Sequence, residues 1–308
     1  MDEIFLRTAT DEQLRRPSFF QEVGIAYFDH IIRIDAPENT RHASSTDPRR
    51  QAVMLDGRRD VMKKWLEKLM RPERSATITL HPTPALAQDA AMSLLDYADF
   101  VYRACQVDEP DPLAAWRVMG ERQQKICDWL AQRSTVRIEG PNADLTLGVG
   151  GRRWMNDDGR KNFPGGEVFT SPAEDAVDGF VRFSYPALHQ GREIRDVRLW
   201  FERGRVVRAE AESGQEYLDE MLRLDEGARR LGELAIGTNR GVARFTGNVL
   251  FDEKIAGTCH LAVGHGFANL GSRNESAIHI DMVCDLKTDS RLSADGQVFY
   301  QDGEFTIF

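Results

Sequence analysis

The chain has 308 residues, which is enough for two domains or for one large domain with a well-buried core. Its hydrophobic fraction of 41% and charged fraction of 29% are ordinary for a globular protein, and no apolar run approaches the roughly 20 residues that cross a bilayer. The net charge of −9 argues against a nucleic-acid binder, because phosphate contacts need a basic surface.

The start of the chain and its cysteines both predict a cytoplasmic protein. The first six residues lack the basic-then-apolar layout of a signal peptide. The four cysteines form no CxxC pair and no disulfide-like framework, which predicts reduced and mostly buried thiols. Cys259 stands beside His260 and has an alternative interpretation as a ligand or nucleophile, but packing is the simpler one.

Residues 25–132 alternate strand-like and helix-like segments, the pattern of a parallel βαβ arrangement. Strands are predicted at 31–34 and 76–80. The helix between them is indicated by apolar residues at helical spacing, namely Val61, Met62, Trp65, Leu66 and Leu69. A second helix, with Asp111 and Pro112 as its start signal, carries Leu113, Trp116, Met119, Ile126 and Leu130. Because only two strands are evident, we expect residues 1–132 to form an incomplete α/β domain that lacks its first βα unit.

From residue 133 onward the pattern becomes β-rich, and we predict a domain boundary there. Strands are expected at 136–139, 179–183, 196–201 and 206–209, the last two joined by a turn at Arg203 and Gly204. One helix is expected at 215–231. The turns Asp295–Gly296 and Asp302–Gly303 predict hairpins near the end of the chain. The overall expectation is an α/β protein whose residues 133–308 form a β-rich α+β domain.

The clearest chemical signal lies in residues 276–282, where two metal-ligating side chains stand two residues apart. Apolar and polar residues alternate there, as in a strand with one face in a core. His279 and Asp281 therefore point to the same side. The residues expected to face the core are Ile278, Ile280 and Met282. An imidazole and a carboxylate side by side on a strand form half of a metal site.

Further candidate ligands are close by. A dense group at 251–260 contains Glu253 and ends at His260, 19 residues before His279. With His265, three of the seven histidines fall within twenty residues. This clustering predicts where the chemistry takes place.

Two more acids stand in largely apolar surroundings, Glu167 and Glu233. A carboxylate without a partner in such surroundings costs several kcal/mol or stays protonated, so it usually has a cation or a donor nearby. The competing interpretation of each is an ordinary surface or capping acid. Together, two histidines and four carboxylates suit a pair of divalent ions such as Zn, Co or Mn better than a thiolate zinc site.

Other motifs are weaker. Residues 148–151 resemble a phosphate loop only loosely and are better explained as a turn. Four histidines are isolated and predicted to be surface or core residues: His30, His42, His81 and His189. The sequence has no GxSxG, HExxH or Cys/His nucleophile pattern, which removes the common serine, zincin and cysteine hydrolase classes.

In addition, several ordered motifs resemble the thermophilic metalloaminopeptidase family, M29. The matching stretches are residues 154–160, 162–169, 232–233, 236–239, 250–253, 260–264 and 278–282, with fainter similarity at 82–84 and 99–102. The resemblance covers residues 134–308 and continues more faintly upstream. It implies a cytoplasmic hydrolase that releases N-terminal residues from peptides with a free N-terminus and acts as a homodimer. The charge and the hydropathy separately predict that the protein binds neither nucleic acid nor membranes.

The resemblance also implies a site with two divalent ions (Co, Zn, Mn or Mg) about 3.5–4 Å apart, which activate a water and polarise the scissile carbonyl. Its ligands map onto Glu167, Glu233, Glu253, His260, His279 and Asp281. The family gives the counterpart of Glu233 a central role, bridging the ions or lying closest to the nucleophilic water. One ion is expected to bind the neutral α-amine of the substrate, so activity should favour neutral to alkaline pH.

Two departures from the family pattern matter. The family usually carries a tyrosine seven residues after the histidine of the His-Leu-Ala motif, which is His260 here. This tyrosine is thought to hydrogen-bond the reaction oxyanion, and in this sequence the position is Phe267. Losing one oxyanion donor typically costs about 10²–10³ in rate, or roughly 3–4 kcal/mol, unless another residue such as His265 replaces it. The family also has a further βαβ-like portion before the region that begins at Met1, so a truncated N-terminal domain is expected.

Two alternatives remain open at the level of sequence. One is a related enzyme with a single Fe(II) held by His260, His279 and Asp281, which cleaves aromatic rings by oxygenation. Retention of Glu167, Glu233 and Glu253 argues against it, because a mononuclear iron site does not need these carboxylates. The other alternative is a catalytically impaired relative, motivated by Phe267 and the expected truncation.

Overall fold

The computed structural model describes residues 2–69 and 75–307. The first part of the chain has eight helices and two strands within these ranges. In chain order they are α1 (Asp2–Thr8), α2 (Asp11–Arg15), α3 (Phe19–Tyr27), β1 (His30–Asp35), α4 (Pro48–Gly57), α5 (Arg59–Leu69), β2 (Ser75–Leu80), α6 (Pro84–Asp89), α7 (Leu94–Ala104) and α8 (Pro112–Leu130).

The two predicted strands of the first part are confirmed as β1 and β2, which pair in parallel. The predicted helix at 61–69 corresponds to α5, although the side chains of Leu66 and Leu69 lie outside the described residues. Helix α8 begins at the predicted signal, because a carboxylate oxygen of Asp111 accepts the backbone N–H of Ala114 at 3.0 Å. Only the second half of its apolar stripe is in a core, since Leu113 is 78% exposed.

The second part of the chain is built mainly from antiparallel strands. They are, with two helices, β3 (Thr135–Gly140), β4 (Ala143–Gly148), β5 (Met155–Asp157), β6 (Glu167–Thr170), β7 (Val177–Phe183), β8 (Ala187–His189), β9 (Arg192–Ile194), β10 (Val197–Glu202), β11 (Arg205–Glu210), α9 (Gln215–Arg223), β12 (Leu231–Gly237), α10 (Val249–Asp252), β13 (Thr258–Gly264), β14 (His279–Asp285), β15 (Arg291–Ala294), β16 (Gln297–Gln301) and β17 (Glu304–Phe305). The hairpins predicted at residues 203–204, 295–296 and 302–303 are confirmed.

Two expected boundaries in this part are wrong. The helix predicted at 215–231 ends at Arg223, because the Asp225 carboxylate accepts the N–H of Ala228 and starts a separate 3-10 turn. The strand predicted at 276–282 begins only at His279, because Ser276 and Ala277 are held by hydrogen bonds to the same carboxylate.

Two large sheets enclose the main hydrophobic core. One has eight strands in the order β11-β10-β7-β4-β3-β15-β16-β17, and the other has five in the order β14-β13-β12-β6-β5. Helix α8 adds Ile126, Cys127 and Leu130 to this core, although it precedes residue 133. The domain boundary near 133 stays a prediction, and this packing favours grouping α8 with the second part.

The five-stranded sheet presents polar side chains on its other face. In β14, Ile280 and Met282 enter the core, as predicted, so His279 and Asp281 point away from it. All seven residues of β12 and of β13 are buried, which shows that this second face is also covered. The candidate site lies on this covered face.

The candidate metal centre

The three adjacent strands β12, β13 and β14 place four candidate ligands on one surface. Glu233 on β12 and Asp281 on β14 are both in register with Ala262 of the central strand. A single methyl group therefore separates the two carboxylate positions, and their side chains converge above it. His260 lies on the same side of β13, two residues before Ala262.

A bulge in β12 sets the direction of Glu233. The register with β13 shifts between Leu231 and Glu233, at Gly232. A Cβ atom at Gly232 would lie only 2.0 Å from the carbonyl oxygen of His265, so no larger residue fits there. The glycine that precedes Glu233 is thus required by a close backbone approach.

The remaining two ligands come from outside these strands. Glu167 is the first residue of β6 and pairs with Gly237 of β12. Glu253 follows helix α10 directly and has its side chain 12% exposed. All six residues predicted from the sequence therefore lie together, in three overlapping groups whose ligand atoms are within 4.8 Å of one another: Glu167, Glu233 and His260; Glu233, His279 and Asp281; and Glu253, His260 and Asp281.

Both imidazoles are oriented as metal-ligating histidines usually are. Nδ1 of His260 donates to the backbone carbonyl of Glu253 at 3.1 Å, and Nδ1 of His279 donates to that of His265 at 2.8 Å. The carbonyl partners fix the tautomers and leave each Nε2 facing the carboxylates. Nε2 of His279 lies 3.1 Å from Glu233 Oε2.

Several oxygen atoms in the cluster have no hydrogen-bond partner. Glu167 Oε2 and Asp281 Oδ1 are buried and accept no hydrogen bond among the described residues, although Nε2 of His260 lies 3.5 Å from the first and Nε2 of His279 lies 3.2 Å from the second. A buried carboxylate oxygen without a hydrogen-bond donor is costly, so two such oxygens indicate a binding site for a cation. Mixed imidazole and carboxylate donors are those that Zn, Co and Mn accept, so the residues fit a divalent-metal site.

The charges of the cluster shift its protonation equilibria strongly. Burial alone would lower the pKa of His260, but the carboxylates of Glu167 and Glu233 outweigh it and raise that pKa to about 10. Burial raises the pKa of Glu167 to about 8, against the opposing effect of Lys254. A metal ion that binds these imidazoles must displace their protons, so metal affinity rises with pH.

Two carboxylates of the cluster, those of Glu233 and Asp281, are held in the ionised form. Burial would raise the pKa of Glu233, but the nearby imidazoles of His260 and His279 lower it below the usual range. Burial would also raise the pKa of Asp281, but the positive charge of His279 keeps it well below normal. These carboxylates remain available to cations at any pH near neutrality.

The sequence did not single out two charged residues of this cluster, Lys254 and Asp157. The Lys254 ammonium group is completely buried and lies 2.7 Å from Glu167 Oε1 and 3.3 Å from Asp157 Oδ2. Asp157 lies in the stretch 154–160 that resembles the metalloaminopeptidase family, and Lys254 directly follows the stretch 250–253. In the sequence, however, Lys254 is indistinguishable from a solvated lysine that follows an acid.

Phe267 lies next to the cluster, as expected from its spacing. Its ring centroid is 5.6 Å from that of His279 and 5.5 Å from that of Phe169. It also lines a cavity of about 260 Å³ together with His265 and Asn269. The ring therefore occupies a position between the candidate ligands and an open cavity.

A larger cleft connects the first part of the chain with Glu253. It has a volume of about 490 Å³ and is lined by residues near β1 and β2 and by the segment around α10, including Arg33, Ile78, Leu80, Leu188, Leu250 and Glu253. The cleft gives an extended ligand access to the carboxylate end of the cluster.

The other histidines and the cysteines have varied surroundings. His189 is partly buried, its Nδ1 lies 2.8 Å from the Tyr217 hydroxyl, and burial lowers its pKa to about 4. The charge of Asp281 partly opposes this lowering of the pKa, and that of His279 adds to it. All four cysteines are free and buried, as predicted, and Cys259 pairs across the sheet with Cys284.

Comparison with known proteins identifies the family. The sequence model of the thermophilic metalloprotease (M29) family matches residues 1–305. The chain belongs to this family. It is therefore a hydrolase of the metalloaminopeptidase type, and its family uses divalent metal ions.

Named relatives agree with this membership. Aminopeptidase 2 of Geobacillus stearothermophilus is 31% identical over 314 residues, which cover 90% of this chain and 74% of that protein. Aminopeptidase T of Thermus aquaticus is 35% identical over 225 residues, 64% of this chain and 54% of that protein. The chain thus spans about three quarters of the first relative and about half of the second.

Solved structures show the same fold. Wild-type AmpT from Thermus thermophilus superimposes with a TM-score of 0.80 at 25% identity, covering 99% of this chain and 84% of AmpT. A 2,5-dihydroxypyridine dioxygenase from Pseudomonas putida has a TM-score of 0.58 at 13% identity, covering 97% of this chain and 99% of that one. The second likeness shows a shared fold alone.

No helix within residues 2–69 and 75–307 has the length and apolar character needed to span a membrane.

Proposed function

We propose that this protein is an aminopeptidase that removes N-terminal residues from peptides and uses two divalent metal ions. Six side chains would hold the ions: Glu167, Glu233, Glu253, His260, His279 and Asp281. The observation that carries the proposal is the charge of the cluster, which a single ion would not neutralise.

The charge count is simple. Five carboxylates lie within the buried cluster, those of the four acidic candidate ligands and of Asp157. Lys254 supplies one positive charge, so four negative charges remain in the metal-binding state, in which all five carboxylates are ionised and both imidazoles are neutral. Buried charge of this size is very costly without compensation, and two divalent ions compensate it fully.

Glu233 has the central position among the ligands. It belongs to two of the three groups, with Oε1 3.7 Å from His260 Nε2 and Oε2 3.1 Å from His279 Nε2. A low pKa keeps both oxygens ionised. Glu233 is thus the residue best suited to contact both ions, or to accept a proton from the attacking water.

When bound, the ions would supply Lewis acidity for a water molecule and for the scissile carbonyl. The protein's own residues would orient the peptide. The cleft that reaches Glu253 admits an extended chain, while the Phe267 ring supplies an apolar wall with no hydrogen-bond donor. Transition-state stabilisation by a tyrosine hydroxyl is therefore absent at this position, which supports a slower reaction than the family pattern predicts.

The single-iron oxygenase is the weaker alternative. It would need only His260, His279 and Asp281, and would leave Glu233 and the second oxygen of Glu167, Oε2, without a metal ion. A metal count on the purified protein separates the two, since one iron per chain contradicts our proposal and two divalent ions per chain support it.

The deciding experiment is hydrolysis of leucine p-nitroanilide by chelator-stripped protein, with and without added Co²⁺ or Zn²⁺. We expect cleavage to return with metal and the N-acetylated substrate to stay intact. Glu233→Gln should lower kcat at least 100-fold, whereas Glu202→Gln, an exposed acid on β10, should not change it. Folded, metal-loaded protein that cleaves no free-amine substrate would contradict the enzyme proposal and favour an impaired relative.

The homodimer, the cytoplasmic location and the domain boundary near 133 stay predictions. Light scattering of the purified protein tests the dimer directly. Metal analysis of protein purified without chelators identifies which of Co, Zn, Mn or Mg it carries.

A further inference from the structure

Lys254 is the only lysine among the described residues whose side chain is fully buried, and it lies against three carboxylates. Its ammonium nitrogen is 2.5 Å from Glu253 Oε1, 2.7 Å from Glu167 Oε1 and 3.3 Å from Asp157 Oδ2. The contacts with the two glutamates are hydrogen bonds, and the contact with Asp157 is an ion pair. The charge of Lys254 is thus compensated by three buried acids.

The ammonium group connects two different ligand groups. Glu167 belongs to the group with Glu233 and His260, and Glu253 belongs to the group with His260 and Asp281. In both glutamates Lys254 binds Oε1. The second oxygen of Glu167, Oε2, is buried without a hydrogen bond and lies 3.5 Å from His260 Nε2. Lys254 therefore determines which oxygen of Glu167 is available to a metal ion.

The backbone of Lys254 is itself fixed. Its carbonyl accepts the N–H of Asn239 at 3.0 Å, and the Asn239 side chain donates to the carbonyls of Ala104 and Gly165. Asn239 is completely buried. Asp157 is outside all three ligand groups and provides the ammonium with a separate counter-charge. Contacts therefore fix both the backbone and the ammonium group of Lys254.

We propose that Lys254 is a positioning residue that holds Glu167 and Glu253 in the orientation in which each offers one oxygen to a metal ion. The inference rests on the proposed function, since it takes these two glutamates as ligands. It assigns to Lys254 no contact with substrate and no part in proton transfer.

Two physical effects of removing this ammonium have opposite signs. By Coulomb's law alone, deleting a positive charge close to bound cations strengthens metal binding. If the ammonium positions the ligands, its loss lets the two carboxylates turn away or take up protons, and binding weakens. The sign of the change in affinity thus separates positioning from simple electrostatics.

The test compares metal binding by wild-type protein and by Lys254→Met, which keeps the length of the side chain and removes the charge. Stripped proteins are titrated with Co²⁺ or Zn²⁺ against a competing chelator, and the ions per chain are counted by mass spectrometry. We expect Lys254→Met to bind at least tenfold more weakly or to retain fewer ions. Unchanged or tighter binding at full stoichiometry would overturn the inference.

Two further variants distinguish positioning from net charge and from general damage. Lys254→Met with Asp157→Asn restores the net charge of the cluster, and we expect its binding to stay weak; recovery of wild-type affinity would overturn the inference. Lys254→Gln keeps a hydrogen-bond donor, so its affinity should lie between those of wild type and Lys254→Met. It also serves as the main comparison if the methionine variant does not fold.

The matched control is Asp252→Asn, a buried acid next to the site whose carboxylate accepts the N–H and the hydroxyl of Thr246. It should lower the melting temperature without changing the number of bound ions. Loss of metal by this control as well as by Lys254→Met would mean that any local damage empties the site, against our inference. The wild-type titration by itself reports on the proposed function, and the ratio of variant to wild type reports on Lys254.

Discussion

Phe267 is the residue that separates this site most clearly from the family pattern. Its ring lies against His279 and Phe169, so the aromatic packing of the position is kept while the hydroxyl is lost. Among the described residues, the hydroxyls of Tyr185 and Tyr217 bond to Asp285 and His189, and no tyrosine hydroxyl is bonded to a candidate ligand. The chemistry of the site therefore changes at this position without a change in its packing.

We predict that Phe267→Tyr increases kcat on leucine p-nitroanilide by about 10- to 1,000-fold, because a phenol donor adds transition-state stabilisation. KM should change little, since the added group acts mainly in the transition state. Steady-state kinetics of the metal-loaded protein measure both constants. Phe169→Tyr introduces the same group on the neighbouring ring and should give no such increase. An equal increase in both variants, or in neither, would argue against an oxyanion role for position 267.

The sequence was most informative about individual residues. All six candidate ligands predicted from the sequence come together in space, because strand periodicity and clustering of histidines are local signals. Lys254 and His189 could not be recognised in this way. In the sequence, Lys254 looks like a solvated lysine next to Glu253. His189 lies 90 residues before His279, so no local pattern connects the two histidines.

At the level of elements, one acid fixes the loop that carries Phe267. Glu174 precedes β7, and its carboxylate accepts hydrogen bonds from Arg152 at 2.8 Å, from the Ser272 hydroxyl at 3.1 Å, and from the backbone N–H of Arg273. Burial would raise its pKa, but these hydrogen bonds outweigh burial and lower it. Glu174 therefore ties the segment 265–274 to the eight-stranded sheet.

We predict that Glu174→Gln lowers the free energy of unfolding by about 1–3 kcal/mol at pH 7, because charge-assisted hydrogen bonds are lost. The folded pKa is below the ordinary value of 4.5, so this stabilisation is complete above pH 4.5 and disappears as the pH falls through the folded pKa. Urea unfolding of both proteins between pH 7 and pH 3 should show the difference shrinking in acid. An unchanged difference at pH 3 would exclude an ionic origin, and Glu202→Gln serves as an exposed control.

The strands that carry the site were harder to predict than those that do not. The predicted strands β3, β7 and β10 have one face in the core and one toward solvent, which gives a clear alternation. Strands β12 and β13 are buried on both faces, so alternation is lost and they read as apolar runs. Their pairing with β6 and β14 depends on distant contacts that a single sequence does not reveal.

At the level of the whole molecule, the two parts of the chain share one core. Helix α8 lies before residue 133, yet it packs its buried residues against the five-stranded sheet, and Gln123 donates to the backbone carbonyls of Asp157 and Glu167. A smaller core around Tyr97, Phe100 and Phe251 also combines the two parts, since Phe251 comes from the second. The sequence pattern changes near residue 133 because the architecture changes there. The side chains on either side of this position nevertheless pack together.

We predict that a shortened chain beginning at residue 106 unfolds cooperatively, while one beginning at residue 133 does not. The second lacks α8 and therefore exposes the apolar surface that Ile126 and Leu130 cover, at a cost of about 1.5–3 kcal/mol for each large side chain. Thermal unfolding followed by circular dichroism compares the two. Equal cooperativity in both would support an independent domain that starts at 133.

Ala262 has a consequence for how such a site can arise. It is the sheet neighbour of both Glu233 and Asp281, and its side chain is a single methyl group. Neighbouring Cβ atoms in an antiparallel sheet are only about 5 Å apart, so a leucine or phenylalanine here would extend between the two carboxylates. We therefore expect the proposed metal site to depend on a residue that contributes no ligand, since one substitution to a bulky side chain would convert it into an ordinary packed interior.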